Sequence, residues 1–193
     1  AAIQDNTKLL YIETLTNPVL KVCDIEAMAD VAKRHNLLLL IDNTFASPWG
    51  CKPLDMGVDL VLHSTTKYLG GHSDILGGAV VGSKDLIAQI FMRKVHFGAA
   101  PDPHSCYLLE RGMRTLDVRM PRICENAHLL AQRLESHDAI ERVYHSKLES
   151  HPDFEIAERM LPRGSGMIAF VVKGGDDAAR KFMRNLHLNY EAT

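Results

Sequence analysis

The sequence predicts an α/β fold: a mostly parallel sheet with flanking helices, continuing through a long helix into a smaller α+β piece. Three observations carry that prediction. Two apolar runs, LLLLI at 37–41 and DLVLH at 59–63, lack polar–apolar alternation, which marks strands covered on both faces in a parallel sheet. A helical pattern lies between a first strand and the first of these runs, and the strand–helix–strand order suits an α/β layer. A second strand–helix unit closes the chain after two helical segments.

Taken in order, KLLYI at 8–12 reads as a short buried strand, and TNP at 16–18 as a turn. Asp24 can cap a helix running to about His35, with Ile25, Met28, Val31 and Ala32 on one face. LLLLI follows and ends at Asp42; DNTFASPWG is loop. DLVLH ends at Ser64, and AVVG at 79–82 is a third strand of this region, at the edge or on a return path. A helix spans about Lys84 to Val95, and FGAAPDP at 97–103 is a loop with two prolines. Helical segments at 104–117 and 121–137 are separated by Pro121. IERVY at 140–144 and MIAFVVK at 167–173 are strands, SHP and LPRGSG break the chain between them, and 176–186 is a helix. This divides the chain into a sheet-bearing domain over 1–120 and a second region, 121–193, made of the linker helix and the start of a C-terminal domain.

Bulk properties narrow the function. The 193 residues suggest one domain or one and a half, and 46% apolar with 24% charged residues suffice for a core. A net charge of −2 with no basic face or charge block argues against nucleic acid and against an acidic membrane surface. No apolar run is long enough to span a bilayer, and AAIQDNTK lacks a signal pattern. Four cysteines without a C-x-x-C spacing fit a reducing, cytoplasmic compartment and argue against a zinc site. The ten histidines form no H-x-x-x-H pair and read as surface or core-satisfied side chains.

The chemistry concentrates at two strand ends. Asp42 follows LLLLI; Ser64, Thr65, Thr66 and Lys67 follow DLVLH, and Asp42 and Lys67 are 25 positions apart. Ligands of open α/β sheets bind at the carboxyl ends of strands, so parallel neighbours would bring an acid, hydroxyls and an amine to one spot. Pyridoxal 5′-phosphate uses that set: a lysine for the Schiff base, an acid that keeps the pyridine nitrogen protonated, and neutral donors for the phosphate. Lys67, Asp42, Ser64 and Thr66 fill those roles, and burial beside a cationic ring would leave the lysine free as nucleophile and proton shuttle. Alone, each has a plainer reading. Asp42 could be a cap, Lys67 a solvated loop residue, Asn17 before Pro18 a turn residue. It is their joint occurrence that points to a cofactor. A nucleotide-binding domain lacks support, since neither G-x-G-x-x-G nor G-x-x-x-x-G-K-[ST] is found. A non-catalytic remnant that keeps only the fold is the other alternative.

IETLTNP, LLIDNTFASP, DLVLHSTTKYLGGHSD and RGMRTLDVRM together resemble the γ-family of pyridoxal-phosphate trans-sulfuration enzymes, from about Lys8 to the last residue. Its members include cystathionine γ-lyase, cystathionine γ-synthase, methionine γ-lyase and the homoserine sulfhydrylases. The resemblance implies a fold-type-I large domain, truncated here, and a homotetramer built from dimers that share active sites. It implies a small-molecule amino-acid substrate, with γ-elimination of cystathionine favoured over γ-replacement or methionine cleavage. It gives Lys67 the Schiff base, Asp42 the pyridine nitrogen, Ser64 and Thr66 the phosphate, and Asn17 and Thr44 places beside the ring near its 3′ oxygen. Leu15 replaces the family's usual proline and predicts a looser loop. Ser146 and Lys147 replace a usual Pro-Gly, a change expected to be tolerated on a surface loop. Family chains extend further at both ends, so this chain reads as a fragment with half a site, inactive by itself, stopping at NYEAT near the family's Ser-Leu-Gly segment.

Overall fold

A computed structural model describes residues 3–187; the closing NYEAT stretch lies outside them. Strand β1 (Leu9–Glu13) is followed by helix α1 (Ile25–Arg34), and strand β2 (Leu38–Asp42) pairs with β1 in parallel. A short helix, α2 (Ser47–Gly50), and a 3-10 turn (Pro53–Met56) interrupt the expected loop before strand β3 (Leu60–Ser64), which is parallel to β2. A π-type turn, Thr65–Leu69, leads away from β3, and strand β4 (Gly78–Gly82) returns antiparallel to it, giving the order β1-β2-β3-β4. Helices α3 (Lys84–Phe97), α4 (Pro103–Met113) and α5 (Leu116–Glu135) precede a two-stranded antiparallel sheet of β5 (Ile140–Tyr144) and β6 (Ala169–Val172). Helix α6 (Phe154–Met160) lies between those strands and α7 (Gly175–Arg184) follows them.

Local chemistry sets the starts of these helices. Asp24 accepts from the Ala27 N–H at 3.1 Å, as an N-cap does. Ser83 accepts from Leu86 N–H at 3.4 Å, and one Asp102 oxygen accepts from His104 and Ser105 N–H at 2.9 and 3.0 Å. The main core joins Leu39 and Ile41 of β2, Val61 of β3 and Ile25 and Ala32 of α1 to Ala157, Met160 and Leu161 at α6. Elements on both sides of α5 therefore share one apolar interior.

Four expectations are corrected. The strand at 37–41 is fully buried on one face only: Leu39 and Ile41 are buried, while Leu38 is exposed, as are Leu9 and Tyr11 in register with Leu38 and Leu40. Toward β3 that second face closes, where Leu60, in register with Leu40, is buried. Pro121 does not separate a pair of helices; it lies inside α5, and the break comes at Arg114 and Thr115. Proline removes one N–H early in a 20-residue helix, and burial of Met120, Cys124, Ala127 and Ala131 along one side holds the axis. The turn containing Leu15 is not loose. Leu15 is 2% exposed, forms a β-bridge with Val22, and is closed by Thr16 N–H to Lys21 O at 3.0 Å. Ser146 is not on a surface loop: Ser146 and His145 are fully buried, and Lys147 pairs with Glu158. Helix α6, hidden in the sequence between chain breakers, covers that segment.

Candidate functional site

Parallel pairing puts the polar ends of the strands at one edge of the sheet. Glu13 is in register with Asp42, and Asp42 with Leu62, two residues before Ser64. Side chains two apart on a strand share a face, so Glu13, Asp42 and Ser64 all project to the side opposite Ile41 and Val61. They line a cleft of about 190 Å³ with Leu15, Asn17, Thr44 and Phe45. Four of the six residues singled out from sequence, Asn17, Asp42, Thr44 and Ser64, thus meet in one cavity.

Hydrogen bonds fix their positions. Thr44 N–H donates to Asp42 Oδ1 at 2.9 Å, a local turn that orients the carboxylate. Thr44 Oγ1 accepts from Ser64 N–H at 2.8 Å, tying the loop after β2 to the end of β3. Tyr11 O–H reaches Asp42 Oδ2 at 3.5 Å, and burial, then the Asp42 charge, push the Tyr11 phenol above its usual range. Asn17 N–H donates to Glu13 Oε2 at 3.2 Å. Beneath the loop, buried Asn43 accepts from Thr14 O–H at 2.7 Å and donates to the carbonyls of Ser47 and Cys51 at 3.2 and 3.0 Å. Asn43 is a fastener for the segment that carries Asp42 and Thr44.

Lys67 and Thr66 do not line this cleft. They stand in the turn just past β3, where Lys67 departs from helical dihedrals (φ −91°, ψ −121°) and is exposed. The burial expected for Lys67 is therefore not found among the described residues. Thr66 Oγ1 accepts from Gly77 N–H at 3.1 Å, which leaves its hydroxyl hydrogen to donate. His63, one residue before Ser64, faces the core instead. Its Nδ1 is buried without a partner, and burial lowers its pKa against the opposing charge of Asp42.

Glu13 and Tyr11 escape a reading of the sequence. Glu13 obeys the same rule that finds Asp42, a polar residue closing an apolar strand, and the motif IETLTNP contains it.

Two acids, an amide and two hydroxyls in one cleft, with an amine and a further hydroxyl on the adjoining turn, include the donor set that a phosphorylated pyridine aldehyde requires. The cleft by itself is small for such a group, so these residues make up a share of a site.

Comparison with known proteins converges on the same chemistry. The family described as "Cys/Met metabolism PLP-dependent enzyme" matches residues 1–193. An L-methionine gamma-lyase of Porphyromonas gingivalis is 46% identical over 97% of this chain and 48% of its own length. A probable cystathionine gamma-synthase of Herpetosiphon aurantiacus is 43% identical over 97% of this chain and 59% of its own. The crystal structure of cystathionine gamma-lyase from Lactobacillus plantarum, complexed with L-serine, superposes on the whole chain with a TM-score of 0.96 at 42% identity, using 50% of that chain. The chain spans about half the length of the relatives it matches.

Proposed function

Because the chain belongs to the Cys/Met metabolism PLP-dependent enzyme family, we propose that it carries a share of the cofactor site of an enzyme that cleaves the γ carbon–sulfur bond of a sulfur amino acid. Cystathionine is the substrate, giving cysteine, 2-oxobutanoate and ammonia. The observation that supports this most is the convergence of Asp42, Thr44, Asn17 and Ser64 on one cleft at the ends of parallel strands, with Lys67 on the next turn.

Bound pyridoxal phosphate supplies an electron sink for negative charge at the substrate α carbon. Asp42, oriented by the Thr44 N–H, holds a proton at the ring nitrogen. The hydroxyls of Ser64 and Thr66 donate to the phosphate. Asn17 and Thr44 flank the ring near its 3′ oxygen. The Lys67 amine binds the cofactor and, once released, moves the proton between the α carbon of the substrate and the rest of the molecule.

Methionine is the second reading, favoured by the 46% identity to an L-methionine gamma-lyase. Elimination and replacement share their first half, so these side chains serve either. A homotetramer of site-sharing dimers and a cytoplasmic location complete the proposal; no helix of the described residues is long and apolar enough to cross a membrane. Product analysis of the full-length polypeptide tests it. With cystathionine, 2-oxobutanoate and ammonia are expected in equal amounts. Thiol release from methionine but not from cystathionine would transfer the assignment to the second reading, and turnover only with an acylated homoserine plus a thiol would make it a synthase.

A further inference from the structure

β3 does not by itself fix the turn that presents Lys67. Gly77 bonds its start, accepting from Thr65 N–H at 2.9 Å and donating to Thr66 Oγ1 at 3.1 Å, and a further contact, at Tyr68, comes from α5, 51 positions along the chain. Arg119 Nη2 donates to the Tyr68 carbonyl at 3.0 Å and to the Gly112 carbonyl at 3.0 Å. Its Nε donates to Thr115 Oγ1 at 3.0 Å, and the Thr115 hydroxyl donates to the Gly112 carbonyl at 3.1 Å. The guanidinium plane is thereby set against the glycines after Lys67. A Cβ at Gly71 would come within 2.2 Å of Arg119 Nη1, and a Cβ at Gly112 within 2.2 Å of the Gly70 carbonyl oxygen. Among the described residues Nη1 is buried without a partner, and an unpaired buried donor costs free energy.

We propose that Arg119 is the positioning residue of Lys67: its guanidinium clamps the Tyr68 carbonyl and the Gly70–Gly71 backbone to α4 and α5, and so aims the lysine amine. The proposal rests on the reading of Lys67 as the amine that binds the cofactor. Lysine at 119 cannot substitute, because one ammonium lacks the planar fork that spans two carbonyls and a hydroxyl.

The test uses the full-length polypeptide with pyridoxal phosphate. Arg119→Ala is expected to lower kcat about 10- to 100-fold with KM within about threefold of wild type, since misaimed groups lose rate before affinity. The fraction of cofactor that borohydride fixes to Lys67 falls in parallel, while Tm stays within about 4 °C. Arg119→Lys is expected to recover only a fraction of the loss. Unchanged kcat and unchanged fixation in Arg119→Ala overturn the proposal. Amide exchange separates its failure from failure of the underlying reading. Gly70 and Gly71 N–H donate to the carbonyls of Thr65 and Lys67 at 2.8 Å each, and in Arg119→Ala without cofactor their exchange is expected to quicken at least about tenfold. If wild-type protein fixes no cofactor at Lys67, the functional reading fails; quickened exchange then still supports the clamp, and unchanged exchange refutes it. Should Arg119→Ala not fold, Thr115→Val, which removes the acceptor that orients Nε together with the hydroxyl's own bond to the Gly112 carbonyl, carries the same readouts.

Discussion

Asp42 has one carboxylate oxygen tied to a backbone N–H and the other held by a single long contact from Tyr11. That is a carboxylate fixed in direction yet able to accept one more strong hydrogen bond. Asp42→Ala is expected to weaken pyridoxal phosphate binding at least about tenfold and lower kcat about 100-fold or more, the scale of losing one oriented electrostatic partner. Asp42→Glu is expected to fall between. Titration of the visible absorbance gives the affinity, and near-normal activity in Asp42→Ala would remove the role assigned to it. At this scale the site is largely legible, because a polar residue closing an apolar strand is visible in a single sequence. That signal finds Asp42 and Ser64. It does not find Arg119, whose one long-range partner is the backbone carbonyl of Tyr68, 51 positions away, and carbonyls leave no trace in residue identity. The exposure of Lys67 is equally hidden: nothing in STTKYLGG tells which side of the sheet is covered.

Elements depend on contacts that cross the chain. Three bonds tie the segment before and within α6 to the turn that follows β1. His151 Nε2 reaches the Leu20 carbonyl at 3.1 Å, Asp153 Oδ2 accepts from Val22 N–H at 3.0 Å, and Arg159 pairs with Asp24 at 2.8 Å. The turn between Leu15 and Val22, which the missing proline predicts to be loose, is held from outside. Asp153→Ala is expected to destabilise the fold by about 1–3 kcal/mol, the cost of a charge-assisted bond left unmade by a partly buried N–H, read as a lower urea midpoint at unchanged slope. Asp153→Asn keeps an acceptor and is expected to recover most of that loss. A midpoint unmoved by Asp153→Ala would show that the turn stands without α6. The strands and long helices are legible through apolar runs and caps such as Asp24. α6 is not: it has seven residues, lies between breakers, and is held by tertiary contacts. Pro121 misleads for a related reason, since burial along α5 outweighs one lost hydrogen bond.

The whole molecule has an acid-sensitive interior. Burial pushes the His145 pKa down to about 4, against the Ser165 carbonyl, which its Nε2 bonds at 3.2 Å, and with help from His128, His151 and Lys147. Burial also lowers that of His151, opposed by Asp153 and the Leu20 carbonyl. Both histidines are lowered on folding, so between the folded and unfolded values the unfolded chain binds more protons. The part of stability set by these two histidines is therefore level above about pH 6.5 and falls as pH drops from there toward 4, by on the order of 3 kcal/mol for His145. Urea midpoints at pH 7 and pH 5 check this; His145→Gln is expected to flatten the difference, and equal midpoints in the native chain would refute it. The layered α/β plan is legible in the order of strands and helices. The exposure of Leu9, Tyr11 and Leu38 on one sheet face is not, because an apolar strand reads alike whether or not a neighbour covers it. At every scale the proposed chemistry comes down to one lysine meeting one cofactor beside Asp42. The decisive experiment is borohydride reduction of the full-length polypeptide with pyridoxal phosphate, followed by peptide mass mapping. A reduced cofactor adduct on Lys67, lost in Lys67→Ala, is expected; an unlabelled Lys67, or a label on another lysine at equal yield, would rule that chemistry out.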